Sequence, residues 1–583
     1  MQILKEGFVP GLRLFQEALA RCSFYAMDTE FTGLWSKEIM SSDPFDTPAL
    51  RYQKIKHSAE RMCLTQYGVC TFEVLSEKVL ARSFSFYVFP AETGQGNHAV
   101  FSVQASAMHF LAKNNFDFNK WVREGIPFVS PSREETLRAQ IETPADRRDV
   151  TIKNPADLTL VESIFAKIET WSSALHNTDE DVGQCLDLED TNNPFIRRFL
   201  YQEIPRKWPN RNWRLEKIER PVNEEDSAGG EEKIEPSPKR KVPAVSMRIA
   251  VQSAAERAAE EAEAKQKREE ELLAQIGMRA VFDAMKASQK PCVVHNGFMD
   301  LVLTLAHFST SPDSLDDFKR QVLSEWSPCF IDTKHVFIQV AKEYGLRMHG
   351  PSHLGRLYAF LEGERFASAP AIVQATEDSD VSVASAVNQA HDASWDAYMT
   401  GVVFLRMLNF VAVAQESAAD AAQPMHDDTD GSEEKEKESK QAPAEEPLVF
   451  LSDRVQALLE QREGSAAMLW QNRLQLYGSD WHLNLAGEDE EPSCELALLF
   501  EGDFPWSEGD TPIRTLLTDF QLQRTKWHGD HALSAWFPDI DVLEAAVAHC
   551  QTQPIAQTHR ILRMSEFVAE RRAAIVAALA GHC

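Results

Sequence analysis

The stretch Phe24-Tyr25-Ala26-Met27-Asp28-Thr29-Glu30-Phe31 places two acidic residues, one residue apart, in an apolar run. The run predicts a β-strand, and because side chains repeat with a period of two along a strand, both carboxylates leave the same face. Carboxylates this close cannot both stay ionised at low cost unless a cation lies between them. Asp28 and Glu30 therefore predict a divalent metal site, although the pair alone is also typical of two solvated acids at a strand end.

A third acid, Asp300, follows the segment Val293-Val294-His295-Asn296-Gly297-Phe298-Met299. The apolar beginning of that segment breaks at Asn-Gly, a dipeptide that favours turns. The helical-looking segment Leu301-Val302-Leu303-Thr304-Leu305 comes directly afterwards. We therefore expect Asp300 to lie near a strand-to-helix junction.

Two further polar residues lie in His391-Asp392-Ala393-Ser394-Trp395-Asp396-Ala397-Tyr398, just before another apolar helical segment. A five-residue offset does not stack two side chains on one face of a helix. We therefore expect His391 in the turn before the helix and Asp396 in its first turns. His391 by itself is also typical of a hydrogen-bonded surface or core histidine.

The order of these five residues, two strand acids, an acid at a helix start and then His-x-x-x-x-Asp, resembles that of the DEDD-type 3′ exonucleases whose fifth residue is histidine. The local sequence resembles the poly(A)-specific ribonuclease family over nearly the whole chain, with gaps in the linkers. The segments that carry this second resemblance are Arg51-Tyr52-Gln53-Lys54-Ile55-Lys56, Leu64-Thr65-Gln66-Tyr67-Gly68-Val69-Cys70-Thr71-Phe72, Phe116-Asp117-Phe118-Asn119-Lys120, Gly125-Ile126-Pro127-Phe128, Ile331-Asp332-Thr333-Lys334 and 391–401.

The resemblance implies an active site. Its catalytic residues are Asp28, Glu30, Asp300, His391 and Asp396. The four acids would hold two Mg²⁺ ions, with Mn²⁺ as a possible substitute, since an oxygen-rich ligand set favours these ions over zinc. The histidine, with its near-neutral pKa, would take the proton from the attacking water.

Three residues are expected to contact RNA. Phe31 and Asn296, beside the ligands, resemble family positions that contact the terminal nucleotides, and Lys334 is expected to contact a phosphate.

The expected fold class is α/β, namely a ribonuclease H-like nuclease domain built on a mixed sheet with helices. A small α/β RNA-binding insertion interrupts that domain, and an α+β RNA-recognition-motif-like domain follows it. The expected boundaries are 1–154 and 278–415 for the two halves of the nuclease domain, 155–220 for the insertion, 221–277 for a charged linker and helix, 416–446 for an acidic disordered linker and 447–583 for the last domain.

Two regions outside the nuclease domain suggest contacts with RNA. The insertion resembles an Arg-x-x-x-His-type RNA-binding domain and mixes basic with aromatic residues, which suits base stacking. Tyr201 stands four residues after Arg197, where that signature has histidine, so a small packing domain stays an alternative. Trp527 stands where the family stacks a tryptophan on the 7-methylguanosine cap, and a tryptophan that packs in a turn is the alternative.

Composition restricts the RNA path. The chain has 583 residues and a net charge of −29, which argues against a broad basic surface for nucleic acid. Part of this charge lies in the acidic linker, where residues 416–446 hold eleven acids against three lysines. A path for RNA must therefore be narrow and use local bases, bound metal and stacking rings.

The remaining features bear on location. Nine cysteines without Cys-x-x-Cys spacing indicate reduced thiols in an intracellular protein. No apolar stretch of about 18 residues is evident, which predicts a soluble protein without a membrane partner. Pro238-Lys239-Arg240-Lys241-Val242 is typical of either a nuclear import signal or a solvated charge cluster, and we expect the protein in nucleus and cytoplasm.

The resemblance predicts a 3′-to-5′ exoribonuclease that shortens poly(A) tails, releases 5′-AMP and responds to the 5′ cap. It also implies a homodimer. Three alternatives stay open: an exonuclease that trims the 3′ ends of small non-coding RNAs, a catalytically inactive RNA- or cap-binding regulator, and a DNA-proofreading exonuclease that uses the same five residues.

Overall fold

The structure is a computed structural model, and it contains two compact units, one formed by residues 1–134 with 273–583 and the other by residues 135–272. The residues that it describes are 1–35, 43–75, 78–90, 99–142, 150–176, 179–188, 191, 193–220, 244–348, 352–366, 371–374, 391–421, 470–479, 481–504, 509–528 and 531–580. The charged segment around Lys239 and most of the acidic linker therefore lie outside the described residues.

The described helices are α1 (Phe8–Arg21), α2 (Pro48–Ala59), α3 (Ala105–Lys113), α4 (Phe118–Glu124), α5 (Pro131–Glu142), α6 (Pro155–Ser173), α7 (Pro194–Lys207), α8 (Ala254–Ile276), α9 (Met278–Ser288), α10 (Phe298–Phe308), α11 (Leu315–Gln321), α12 (Thr333–Tyr344), α13 (Leu354–Phe360), α14 (Ala393–Ala421), α15 (Thr511–Leu516), α16 (Ile540–Thr552) and α17 (Met564–Ala580).

The described strands are β1 (Gln2–Ile3), β2 (Phe24–Phe31), β3 (Leu64–Val74), β4 (Val79–Tyr87), β5 (Cys185–Leu188), β6 (Trp213–Arg220), β7 (Ala244–Val251), β8 (Cys292–Val294), β9 (Phe330–Asp332), β10 (Ile372–Gln374), β11 (Arg473–Gln475), β12 (His482–Asn484), β13 (Ala497–Glu501), β14 (Arg524–Trp527), β15 (Ala532–Trp536) and β16 (Arg560–Arg563).

The central sheet of the first unit has the order β1-β4-β3-β2-β8-β9-β11-β12, with β10 paired to β4. Strand β3 runs antiparallel to β2 and β4, whereas β8 and β9 run parallel to β2. The five strands β2, β3, β4, β8 and β9 thus have the spatial order third-second-first-fourth-fifth, with the second antiparallel. This is the ribonuclease H-like arrangement, and it confirms the predicted mixed α/β fold.

Helix α14 crosses this sheet and fills its core. Its residues Val402, Val403 and Phe404 are buried in a cluster that also holds Phe24 and Phe72 of the sheet. Gly401 allows the close approach, because a Cβ there would lie 2.1 Å from the Phe72 ring.

The apolar character of this helix corrects one expectation. Its window Ala393–Gln415 is long and apolar enough to cross a membrane by length and composition, although no such stretch was expected. In the structure 83% of that window is buried inside the protein, and a core helix passes the same test. The helix is apolar on several sides because it packs between the sheet and the neighbouring helices.

The inserted unit has a three-stranded antiparallel sheet in the order β5-β7-β6. Buried residues from the sheet and from helices α6 and α7 form its core, among them Ile164, Leu200 and Ile249. Strand β7 lies in the segment 221–277, which was expected to be only linker and helix. The sequence boundary at residue 220 is therefore too early, because Met247 and Ile249 supply apolar side chains that the insertion needs for its core.

The nuclease sheet also gains a hairpin from beyond the acidic linker. Strands β11 and β12 pair with each other, and β11 pairs with β9. Asn472 joins the hairpin to β9, since its amide N–H donates to the Phe330 carbonyl at 2.7 Å and its Oδ1 accepts from the Phe330 N–H at 2.9 Å. The expected boundary of the last domain at residue 447 therefore assigns part of the nuclease sheet to the wrong domain.

The last part of the chain has the order β13-α15-β14-β15-α16-β16 and an antiparallel sheet in the order β14-β15-β13-β16. Leu498 and Phe500 face one apolar cluster with residues of α15 and α16. Leu499 and Trp536 face a second cluster together with Phe567 of α17 and Phe45. Both faces of this sheet are therefore covered.

Candidate active site

Strand β2 places the first two acids. Asp28 and Glu30 are paired in register with Gly68 and Gln66 of β3, and the register shifts after Glu30. Both acid side chains lie on one face and are partly exposed. The period-two prediction from the sequence agrees with this arrangement.

Asp300 reaches the same place from the other half of the nuclease domain. It lies in the first turn of α10, which follows the short strand β8. Its Oδ1 accepts hydrogen bonds from the Thr29 amide N–H at 3.1 Å and from Thr29 Oγ1 at 2.5 Å. The third acid is thus fixed to the residue that stands between the first two.

The start of α14 supplies the last two residues. Asp396 lies in its first turn and is 9% exposed, whereas His391 lies in the turn before the helix with a φ of 71°. His391 Nδ1 lies 3.9 Å from Asp396 Oδ2, and the His391 ring packs edge-on against Phe110 at 4.6 Å between ring centroids. Glu30, His391 and Asp396 each offer a ligand atom, and these atoms lie within 4.8 Å of one another.

The electrostatics of the site work against ionised acids in the absence of a cation. Burial, followed by repulsion from the neighbouring carboxylates, raises the pKa of Asp28 and of Glu30 well above the ordinary range. Burial raises the pKa of Asp300 to about 6 and that of Asp396 to about 7. Burial lowers the pKa of His391, which favours the neutral imidazole.

These residues fit a site for hard divalent cations. The four carboxylates offer only oxygen ligands, and no thiol lies among them, which suits Mg²⁺ or Mn²⁺ rather than zinc. A cation would also remove the repulsion that raises the carboxylate pKa values. Among the described residues, this is where the structure brings three potential metal ligands together.

Two of the residues expected to contact RNA are held by one buried carboxylate, Asp332. Its Oδ1 accepts from the backbone N–H groups of Asn296 at 2.8 Å and Lys334 at 2.9 Å, and its Oδ2 accepts from the backbone N–H of Gln475 at 2.9 Å. Asn296 has a φ of 58°, and its Oδ1 is buried without a hydrogen-bond partner among the described residues. Phe31 ends strand β2, directly after Glu30.

Trp527 is the last residue of strand β14 in the last domain. Its ring is half-buried against the cluster formed with α15 and α16. It packs edge-on against Phe504, with 5.0 Å between ring centroids.

The sequence did not single out several residues that hold this site together, namely Thr29, Gln66, Phe110 and Asp392. Gln66 is a buried polar side chain in the apolar strand β3, and a buried polar residue needs a partner. Asp392, just before a helical segment, is a typical helix N-cap. Only the contact between β3 and the start of α14 shows that Gln66 and Asp392 are partners.

Comparison with known proteins agrees with the fold. The family model described as CAF1 family ribonuclease matches residues 3–404. The chain is 28% identical to the human poly(A)-specific ribonuclease PARN over 432 residues, which cover 70% of this chain and 62% of the relative. It is 27% identical to the pre-piRNA 3′-exonuclease trimmer of Bombyx mori over 424 residues, which cover 71% of this chain and 72% of the relative.

A structure of S. pombe Pop2p with Mg²⁺ and Mn²⁺ bound is 13% identical, with a TM-score of 0.31, and the match covers 70% of this chain and 90% of that one. The match to the human relative covers less than two thirds of that protein's length. The family model covers most of the nuclease domain described above. The chain belongs to the CAF1 family of ribonucleases.

Proposed function

We propose that the protein is a 3′-to-5′ exoribonuclease that shortens poly(A) tails and releases 5′-AMP. The observation that carries the proposal is the convergence of four carboxylates and one histidine from both halves of the nuclease domain. The preference for poly(A) rests on the similarity to poly(A)-specific ribonuclease PARN.

Asp28, Glu30, Asp300 and Asp396 would hold two Mg²⁺ ions, and Mn²⁺ would substitute for them. When bound, such cations supply activation of the attacking water and stabilisation of the charge on the leaving 3′ oxygen. The carboxylates must be ionised to bind the cations. Because protons compete with the cations for these oxygens, binding of the cations depends on pH.

His391 would accept a proton from the attacking water. Its side chain is 42% exposed, so the imidazole can face an incoming substrate. The lowered pKa keeps the ring neutral near pH 7, as a general base requires. Packing against Phe110 and the left-handed backbone at residue 391 restrict where the ring can lie.

The contacts with RNA are also proposals. Asn296 has an orphaned buried oxygen that would accept from an exocyclic amine or a ribose hydroxyl. Lys334, whose pKa is lowered by burial, lies 5.7 Å from the centroid of the Tyr477 ring and would contact a phosphate. Phe31 would stack on the terminal base.

The test is the degradation of a capped, polyadenylated RNA with Mg²⁺, with 5′-AMP measured as product. Replacing Asp28→Ala should abolish degradation while RNA binding, measured by filter retention, is kept. Full activity of this variant would contradict the mechanism. Equal degradation of a DNA 3′ end would instead support a proofreading exonuclease, and an inactive wild-type protein that binds cap or RNA would support a regulator.

Trimming of small non-coding RNAs is the second candidate. It rests on the similarity to the Bombyx mori trimmer, of which the match covers 72%. Matched RNAs with oligo(A) or mixed-sequence 3′ tails distinguish the two functions. A deadenylase removes the oligo(A) tail faster, whereas a trimmer removes both tails at similar rates.

We further propose that the last domain is an RNA-recognition-motif-like domain and that Trp527 contacts the 5′ cap. Its order of strands and helices supports the assignment. Because α17 and Phe45 cover one sheet face and helices cover the other, a cap would have to bind at the Trp527 edge. The effect of free cap analogue on wild type and Trp527→Ala tests this contact.

The inserted domain is proposed to bind RNA, and the protein to act as a homodimer in nucleus and cytoplasm, without a membrane partner. Lys207 lies over the Phe165 and Trp208 rings in the inserted domain, an arrangement of base and aromatics that suits single-stranded RNA. Light scattering tests the dimer, and RNA binding by variants of Trp208 tests the insertion.

A further inference from the structure

The side chain of Gln66 joins strand β3 to the start of helix α14. Its Nε2 donates to Asp392 Oδ2 at 2.8 Å, and its Oε1 accepts from the Ala393 amide N–H at 3.2 Å. A second hydrogen of Nε2 goes to Ser85 Oγ at 2.8 Å. Gln66 is 1% exposed and lies opposite Glu30 in the sheet. It therefore links the strand pair that carries Asp28 and Glu30 to the helix that carries Asp396.

Asp392 is the N-cap of that helix. Its Oδ1 accepts from Ser394, through the amide N–H at 3.0 Å and the hydroxyl at 2.5 Å, and its Oδ2 accepts from Gln66. Its backbone carbonyl accepts from the Asp396 amide N–H at 2.9 Å. Both carboxylate oxygens of Asp392 are thus engaged by protein donors, and the residue lies between His391 and Asp396.

The packing beneath this cap is tight. A Cβ on Gly68 would lie 2.1 Å from the backbone of Ala393 and 2.4 Å from the Ser394 nitrogen. The start of α14 therefore rests on the backbone of β3, two residues from Gln66 on the same face of the strand. Contact fixes its height above the sheet, and the hydrogen bonds of Gln66 fix its rotation and register.

We infer that Gln66 and Asp392 form a positioning pair that sets where His391 and Asp396 lie relative to Asp28 and Glu30, and that Asp392 is not itself a metal ligand. The inference deepens the proposed function and rests on it for the reaction. Residues that orient metal ligands in this way typically change metal affinity or activity by about 10- to 100-fold when they are replaced.

A rival explanation is that Asp392 acts through its charge alone. It would attract cations to the site, as any nearby carboxylate does. The two explanations differ in sign for Gln66→Glu. An added charge tightens cation binding if only Coulomb attraction matters, whereas a carboxylate facing the Asp392 carboxylate breaks the pair and weakens cation binding.

Reversing the pair gives the decisive experiment. In the double variant Gln66→Glu with Asp392→Asn, the amide at 392 donates to the carboxylate at 66, and the net charge is unchanged. The probe is Mn²⁺ alone, with free ion measured by electron paramagnetic resonance on the full chain. We expect each single variant to weaken Mn²⁺ binding by about 10- to 100-fold and the double variant to recover at least about tenfold.

The kinetics should show the same pattern. With an oligo(A) substrate, kcat should fall in both single variants and recover in the double variant, with KM changed by less than about threefold, because Gln66 is buried and both Asp392 oxygens bind protein donors. Ser85→Ala is the matched control, since it removes the other Gln66 partner and leaves the helix start untouched. It should match wild type in Mn²⁺ binding within about twofold.

Asp392→Ser covers the case in which a single variant fails to fold. Serine keeps an N-cap but loses the contact with Gln66 together with the negative charge, so Gln66→Glu remains the variant that separates the two explanations. Wild-type Mn²⁺ binding in Asp392→Ser, tighter binding in Gln66→Glu, or a double variant no better than the worse single variant would overturn the inference. If the variants show this pattern of Mn²⁺ binding but the wild-type protein degrades no RNA, the proposed function is wrong and the positioning pair stands.

Discussion

Thr29 and Asp300 come from opposite sides of the inserted domain in the sequence, yet Thr29 Oγ1 donates to Asp300 Oδ1 at 2.5 Å. The Thr29 amide N–H reaches the same oxygen at 3.1 Å. Thr29 lies between Asp28 and Glu30 in β2, so its two hydrogen bonds tie Asp300 to that strand. The two halves of the nuclease domain therefore meet at the candidate metal site through a hydrogen bond between protein groups.

Replacing Thr29→Val should move the acid limb of the pH–rate profile to higher pH. The hydroxyl hydrogen bond lowers the pKa of Asp300 against the effect of burial, so its loss raises that pKa further. An acid with a higher pKa competes less well for a cation at a given pH, and we expect activity near neutral pH to fall by about tenfold. Profiles of kcat/KM measure the change. Thr29→Ser keeps the donor, and a profile equal to that of Thr29→Val would contradict the explanation.

The metal-free protein should lose stability as pH rises toward neutral. Burial raises the folded-state pKa of Asp300 to about 6 and that of Asp396 to about 7, whereas an unfolded aspartate has a pKa of about 3.9. Groups with raised pKa values contribute stability that is fully present below about pH 4 and is lost as pH rises to about 7.

Bound cations reverse this loss, so Mg²⁺ should raise Tm more at about pH 8 than at about pH 5.5, where protons compete with the cation. Thermal melts with Mg²⁺ or with a chelator give both curves. Asp396→Asn is the control, since it removes one titrating group and should flatten the metal-free curve. A gain in Tm from Mg²⁺ that is equal at both pH values would exclude these acids as the ligands.

Gly68→Ala should reduce both stability and activity. The added Cβ would lie 2.1 Å from the Ala393 backbone, so the start of α14 would have to move away from β3. Overpacking of this kind costs about 1–3 kcal/mol of the free energy of unfolding, and activity falls as well because Asp396 moves with the helix. Gly355→Ala is the matched control: the site has open space, and alanine in a helix is favoured over glycine. Denaturant unfolding and kcat, measured for both variants, check this prediction.

The nuclease domain should need the hairpin of β11 and β12. A chain that ends at residue 446 lacks Asn472 and Gln475, so the Phe330 backbone loses its bonds to Asn472, Asp332 Oδ2 loses its donor, and β9 becomes an exposed edge strand. We expect this chain to aggregate or to melt at a lower temperature than one that ends at residue 492. Equal solubility and equal Tm of the two chains would show that the hairpin is dispensable.

The sequence predicted the strand of Asp28 and Glu30 and the turn and helix of His391 and Asp396, because these signals are local. Period-two alternation, an Asn-Gly break and a five-residue offset each specify backbone geometry over a few residues. Domain boundaries were less accurate. Met247 and Asn472 pair with strands far away in sequence, and a short strand beside a charged or acidic segment carries little signal of its own.

The sequence alone therefore determined which chemistry the chain can perform, since four carboxylates and a histidine in this order already predict a divalent metal site. The tertiary structure decided how that site is held. Gln66, Asp392, Gly68 and Thr29 act through contacts between β2, β3, α10 and α14, which come from distant parts of the chain. The identity of each side chain is given by the sequence, whereas hydrogen-bond partners and close packing between distant segments exist only once the chain has folded.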